Sequence, residues 1–338
     1  MLMRRFGAAS DSLSSAEIVT ADGQVLTVSR SSNTDLFWAL RGGGANWGIL
    51  TSFTIDLVSV NTSYTSFSIN IADSAAQLQI MKQFQSWIPS APADFSFLGI
   101  VWSSNSLEFR GWYLGPDGIA GATALISANI PNSVPFLADS IKTQSFTANS
   151  LTGIAQDSSF KARSSVVVQP LSDDTIRLIQ AQLLVAPDSS YILIDGYGGV
   201  INDYGIADSA FPWRSNVLFT IQYQTTFSDP ADVAAHTAWI DSFYAQMTDK
   251  VGKLAYVNYQ DSSLGDWSLA SNDSWNQNYF GSSYNKLAAV KQKYDPNNLF
   301  RTPQSFMGKG NSNPGVLGVN GTGIIYVNQI QPSKNLML

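Results

Sequence analysis

Two phenols three residues apart, Tyr256 and Tyr259 in Tyr256-Val-Asn-Tyr259-Gln-Asp261, could move a proton to or from a bound hydroxyl group. A phenol ionises near pH ~10, so Tyr259 would act as a base only with a cation or hydrogen-bond donors beside it to stabilise the phenolate. Read from spacing alone, such a pair is a set of packing residues with satisfied hydroxyls. A second constellation lies on Val217 to Gln224, where strand alternation places Val217, Phe219, Ile221 and Tyr223 on an apolar face and Leu218, Thr220, Gln222 and Gln224 on a mostly polar one. The polar face can look into a site, with Gln222 positioning a ligand by hydrogen bonds, or it can be the solvated face of an edge strand. Thr220 cannot act as a base at neutral pH. A third is the glycine run of Arg41-Gly-Gly-Gly-Ala-Asn-Trp-Gly48-Ile49, which lets backbone approach a ligand or simply ends a helix before a tight turn.

Other chemistries are limited by composition. The chain has no Cys, so thiolate catalysis, disulfides and cysteine-zinc sites are excluded. Its one histidine, His236, falls in a helical pattern with Val233, Trp239, Ile240 and Phe243, and no Ser or Cys partner is legible nearby. With 19 Lys and Arg against 25 Asp and Glu, the net charge of -6 supplies no cationic stripe for nucleic acid. No apolar run approaches the ~20 residues of a transmembrane helix, so the expectation is a soluble protein with a small-molecule partner and neither membrane nor nucleic acid. The N-terminal Met-Leu-Met-Arg-Arg lacks the apolar core of a signal peptide. Glycosylation-type tripeptides begin at Asn61, Asn272 and Asn320.

The elements that must position these residues follow from periodicity. Residues 16 to 29 alternate around Ala21-Asp22-Gly23 as a hairpin. A short helix follows, capped by Ser32 or Asn33, buried through Leu36, Phe37 and Leu40, and stopped by Gly42 to Gly44. Ile49 to Leu57 reads as a half-buried strand, and residues 58 to 62 as the crossing into a second region. Strands are predicted over 65–72, 97–102, 106–114, 192–195, 217–227 and 254–260, and helices over 75–88, 173–184, 231–247 and 283–294. Trp102 and Trp112 read as core residues or as a stacking wall for a sugar. Beyond Phe306 the Gly-, Asn- and Ser-rich chain predicts a loose tail with one added strand at Ile324 to Val327. The fold class is α+β, an antiparallel sheet backed by helices.

Three segments together resemble the berberine bridge enzyme-like flavoprotein oxidases of the vanillyl-alcohol oxidase superfamily. They are Arg4-Arg5-Phe6-Gly7 to Gly23, Asp35 to Phe53, and Tyr256 to Asp261 followed by Trp275 to Phe300, with Tyr279-Phe-Gly and Tyr294-Asp-Pro-Asn-Asn-Leu-Phe300 the most specific. The resemblance implies a partial FAD-binding domain formed from both chain ends (1–62 and 265–310), an inserted substrate-binding domain (63–264) whose antiparallel sheet covers the flavin, and a tail (311–338). It marks Tyr259 as the base, with Tyr256, Gln222 and Thr220 beside it, and Ile18, Gly44, Gly48, Ile49, Asn258 and Asn298 as cofactor contacts. Thr220 stands where the family often has a carboxylate or lysine.

FAD is the implied cofactor, and oxidation of an alcohol, oligosaccharide or secondary metabolite with dioxygen as acceptor is the implied reaction. In the family the Gly-rich pyrophosphate loop and the tethering His and Cys lie upstream of the position matching Leu2. The sequence therefore reads as an N-terminally truncated relative of secreted enzymes, either an oxidase that has lost sequence or an inactive small-molecule-binding homologue. Loss of strands beside Ile18 to Val28 would expose apolar surface and unpaired edges.

Overall fold

A computed structural model describes residues 2–104, 106–130, 140–146, 159–265 and 274–306. Two antiparallel sheets organise them. The smaller has the order β2-β1-β3, from β1 (Leu13–Val19), β2 (Val25–Ser29) and β3 (Ile49–Ile55). Gly23, at φ 82°, turns the β1–β2 hairpin as its sequence predicts. The predicted helix is α2 (Thr34–Leu40), but neither Ser32 nor Asn33 caps it: Asn33 adopts φ 45° and donates its side-chain amide to the Thr27 carbonyl.

The larger sheet has seven strands in the order β7-β4-β6-β5-β9-β10-β8. These are β4 (Ser63–Ile71), β5 (Phe95–Ser103), β6 (Leu107–Tyr113), β7 (Ile141–Ser145), β8 (Ser159–Val167), β9 (Ser190–Gly196) and β10 (Phe219–Phe227). One face carries the main core, where Phe67, Phe109, Ile192, Ile194, Phe219, Ile221 and Tyr223 pack on the apolar stripes of α3 (Ser74–Trp87), α5 (Asp173–Leu184) and α6 (Val233–Val251). Asp73 and Ser172 cap α3 and α5 through side-chain oxygens. The sequence reading located these three helices but missed α4 (Gly118–Asn129), β7 and β8. Val217 lies ahead of β10 and belongs to a separate small cluster with Val166, Tyr197 and Phe211.

A second core draws on both ends of the chain. Ala16, Ile18, Val28, Leu36, Phe37 and Trp47 pack with Trp275, Tyr279, Phe280, Leu287, Val290 and Phe306, the latter set largely from α7 (Ser274–Phe280) and α8 (Tyr284–Tyr294). The Tyr294-to-Phe300 motif has a structural role here: the buried Lys291 ammonium donates to Asp295 Oδ2 at 2.7 Å and to the carbonyls of Asn46 and Phe300, while Asp295 also accepts from the Leu299 and Phe300 amides. The first residues pack elsewhere. Arg4, on the short helix α1 (Met3–Phe6), is fully buried and donates to the carbonyls of Phe95, Ile88, Ala91 and Tyr197, so it sits with the large sheet rather than with residues 13–55.

Strand β3 departs from expectation. Every residue of it is exposed, including Ile49, Leu50, Phe53 and Ile55, and the exposure continues through Leu57, Val58 and Val60. Ile18 on the central strand β1 and Val28 on β2 are fully buried because α2 and α7–α8 cover the inner face of this sheet, whose two edges among the described residues are β2 and β3. The predicted strand at 324–327, the tail from 311, and the tripeptides at Asn272 and Asn320 lie outside the described residues.

Candidate active site

The face of the large sheet opposite α3, α5 and α6 is where the candidate residues meet. Register fixes who shares it: Thr220 pairs with Asp195 on β9 and Val166 on β8, Gln222 with Leu193 and Ser164, and Gln224 with Tyr191 and Ala162. Cross-strand partners project to the same side, so Ser164, Asp195, Thr220, Gln222, Gln224 and Tyr191 form one surface. Since β10 lies between β9 and β8, the edge-strand reading fails. Thr220, Gln222 and Gln224 are also buried, because another segment lies over them.

That segment is 254–261, which was expected to be a strand and is instead a turn. Two bonds fix it to β8: Val166 N donates to the Leu254 carbonyl at 2.8 Å, and Tyr256 N donates to Ser164 Oγ at 2.9 Å. Tyr259 N then closes on the Tyr256 carbonyl at 2.9 Å, which brings the two phenol rings together edge-on, 5.3 Å between centroids. Asn258 donates its side-chain amide to Tyr256 Oη at 2.6 Å. The turn ends at Asp261, whose carboxylate accepts from Arg163 Nε at 2.7 Å. Arg163 also pairs with Asp241 of α6 and lies 3.8 Å from the centre of the Tyr244 ring. A buried cation thus ties β8, α6 and the tyrosine turn together.

Electrostatics at the site oppose a phenolate. Burial raises the Tyr259 hydroxyl well above its ordinary range, and the nearby Asp195, Tyr256 and Tyr191 raise it further. Tyr256 and Tyr197 are raised for the same reasons, burial first and the Asp195 charge among the others. None of the causes acting on Tyr259 is a cation. Asp195 itself is pushed up to about 6 by desolvation, partly offset by positive charge, that of the chain's amino terminus first and of Arg110 second. Asp195 was missed in the sequence reading, although its signal was there: Tyr191-Ile-Leu193-Ile-Asp195 alternates, and the charged residue falls in phase with the open face. Asp195 stands directly across the strand pair from Thr220, the position where the resemblance expects a carboxylate or lysine.

Gln222 is oriented. Its amide nitrogen donates to Gln224 Oε1 at 2.8 Å, and Gln224 is in turn hydrogen-bonded to Tyr191. The carbonyl oxygen of Gln222 is left as the atom offered to a ligand. Of the tryptophans, Trp102 is core, and Trp112 packs on Tyr64 with centroids 4.3 Å apart and the rings tilted by 37°. A cavity of about 330 Å³ between residues 167–175 and 249–251 is lined by none of these side chains.

The glycine run reaches the site through protein contacts. Gly42, at φ 122°, lies so close to Phe211 that a Cβ would sit 2.4 Å from its backbone nitrogen, and the Phe211 ring packs edge-on against Tyr256. At Gly48 (φ 157°) a Cβ would lie 2.3 Å from the Val19 carbonyl oxygen and 2.8 Å from Ile18. Gly48 and the fully buried Ile18 are therefore packed on each other, and Gly48, which is half-buried, has only its backbone to offer a ligand. Gly44, exposed and at φ 74°, where a Cβ would meet only Asn46 Nδ2 at 3.4 Å, and Ile49, also exposed, remain available. Asn298, at φ 52°, is buried within the Asp295 loop that holds Lys291. Among the described residues, then, the large sheet offers a polar face of Ser164, Asp195, Thr220, Gln222 and Gln224, and Gly42 and Gly48 are packed closely against protein on the side a Cβ would occupy. No group of His, Cys, Asp or Glu among the described residues could hold a metal ion, and no helix is long and apolar enough to cross a membrane.

Comparisons place this architecture among known proteins. The family model described as berberine and berberine like matches residues 255–306, the tyrosine turn through α8. Berberine bridge enzyme-like Cyn d 4 of Cynodon dactylon is 30% identical over 330 residues, covering 90% of this chain and 62% of the relative. Monolignol oxidoreductase AtBBE-like 13 of Arabidopsis thaliana is 28% identical, with 90% and 62% covered. The crystal structure of Phl p 4, a grass pollen allergen with glucose dehydrogenase activity, superposes with a TM-score of 0.82 at 27% identity, covering 91% of this chain and 68% of that one. The chain thus spans somewhat less than two thirds of the length of these curated relatives.

Proposed function

Since the chain belongs to the berberine bridge enzyme-like group of FAD-linked oxidoreductases, we propose that it carries the substrate side of an alcohol-oxidising flavoenzyme site, with Asp195 as proton acceptor. The observation that carries this reading is the pairing of Asp195 with Thr220 under the tyrosine turn, with the carboxyl at about 6 and the Tyr259 phenol raised. A carboxylate that is largely ionised at neutral pH yet partly desolvated suits proton removal from an alcohol. FAD, when bound, accepts the hydride from the substrate carbon. Gly44, Ile49 and Asn258 are the residues that would lie along it.

The chain's own residues divide the remaining work. Gln222 accepts a hydrogen bond from the substrate through its oriented carbonyl oxygen. Tyr259, kept neutral, donates to the substrate oxygen or passes its proton to Asp195 as the alcohol gives up its own. Tyr256, held by Ser164 and Asn258, walls the site and excludes water. In FAD-loaded protein, Asp195→Asn should lower kcat/KM by ~10²–10⁴-fold, the range for a lost general base. Near-normal turnover of that variant, with Tyr259→Phe inactive, would return the role to the phenol.

A noncatalytic small-molecule-binding role is the second reading, favoured by the raised Tyr259 phenol, on which no cation acts. Visible absorption during FAD titration separates the two. The oxidase reading expects a bound flavin spectrum and peroxide release on adding an alcohol, and the second expects neither.

A further inference from the structure

The open face does not end at Asp195. Two strands away on β6, Arg110 faces the same side, since its neighbours Leu107 and Phe109 point into the main core. Its backbone partner on β5 is Gly99, and the pairing of Val101 with Leu193 places Asp195 just beyond that glycine. Two strand spacings put Arg110 and Asp195 about 10 Å apart at their Cα atoms. The guanidinium makes itself felt across this gap, acting on both Asp195 and Tyr191.

Arg110 is weakly engaged. Its ion pair is to Glu108 Oε2 on the same strand, at a long 3.3 Å, while the other oxygen of Glu108 accepts from Ser68 Oγ at 2.7 Å. The Nε of Arg110 is buried without a hydrogen-bond partner, while the side chain as a whole is 41% exposed, so the open part of the guanidinium is its terminal end. Lys142 adds a second positive charge to this face, where β7 pairs with Ser66 of β4. A guanidinium with donors to spare, one ring's width from a proton-accepting carboxylate, matches a ligand with an acceptor-only anion at one end and an alcohol at the other.

Resting on the proposed reading of this face, we propose that Arg110 forms an anion subsite and that the site prefers hydroxy-carboxylates, molecules whose carboxylate is separated from the reacting alcohol by about one ring. Isothermal titration of the full chain with 4-(hydroxymethyl)benzoate and with 4-methylbenzyl alcohol tests it at pH 7. The acid should bind at least ~10-fold more tightly, with the margin narrowing as added salt shortens the screening length. Arg110→Gln should abolish the margin without changing affinity for the neutral alcohol, and Glu108→Gln should widen it. Equal binding of the two ligands by the unaltered chain, or a margin that survives Arg110→Gln, overturns the subsite while leaving the alcohol site intact. Binding of neither ligand overturns both.

Discussion

The side-chain amide of Gln222 donates to Oε1 of Gln224 at 2.8 Å, which decides which end of Gln222 a ligand meets. Gln224 is held in turn by Tyr191. Replacing Gln224 by Leu frees the Gln222 amide to rotate and leaves its nitrogen unpaired. In FAD-loaded protein this should raise KM for an alcohol about 5-fold, the worth of one neutral hydrogen bond, with kcat changed less. A loss confined to kcat would place Gln222 in the chemical step instead.

Asp195 also couples stability to pH. Its folded pKa of about 6 lies above the ordinary 3.8, so the folded state holds a proton that the unfolded state has released between those values. The sign follows: stability is full below about pH 4, falls as pH rises toward 6, and then levels off. Asp195→Asn removes the titration and should be the more stable protein at pH 7, by on the order of 1–3 kcal/mol. Urea unfolding of both proteins at pH 4 and pH 7 reads this directly. An equal difference at the two pH values would remove Asp195 as its source.

Arg163 joins the tyrosine turn to the large sheet through Asp261 and to α6 through Asp241. Asp261→Asn leaves the buried guanidinium short of charge and should cost ~3–5 kcal/mol in chemical denaturation. The companion Lys161–Asp241 bridge is more exposed, and Lys161→Met should cost less than ~1 kcal/mol. Comparable losses at the two sites would show that Asp261 is not the clamp.

Gly48→Ala separates packing from cofactor contact. The new Cβ would meet the Val19 carbonyl at 2.3 Å in a backbone conformation that disfavours side chains, so the FAD-free chain should lose several kcal/mol, on the order of 2–4. Gly44→Ala, whose Cβ would make only an ordinary contact with Asn46 Nδ2 at 3.4 Å, should lose less stability than Gly48→Ala. If Gly48→Ala unfolds like the unaltered chain in the absence of FAD, the packing role is refuted.

What could be read from sequence was whatever rests on local periodicity. The β1–β2 hairpin, α2, α5 and α8 fall where alternation and helical spacing put them, and β10 shows Phe219, Ile221 and Tyr223 turned into the core. Residues 254–260 misled because Tyr-Val-Asn-Tyr alternates like a strand, yet its hydrogen bonds go to Ser164 and back to Tyr256. Burial of β3 could not be judged, since its apolar residues are the same whether covered or bare. Asp195 was overlooked because its place comes from cross-strand register: only the pairing with Thr220 brings it to the face where the resemblance expects a carboxylate or lysine at 220.

The central claim is that the carboxyl of residue 195, and not the phenol of residue 259, titrates near neutrality in this site. A carbon-13 NMR pH titration of side-chain carboxyl carbons, with Asp195→Asn used to assign the signal, measures it in the chain as it stands. A midpoint of about 6 is expected, with no Tyr259 phenolate signal up to pH ~9. A midpoint near 4 for Asp195, or a Tyr259 phenol ionising below pH ~8, would contradict the account.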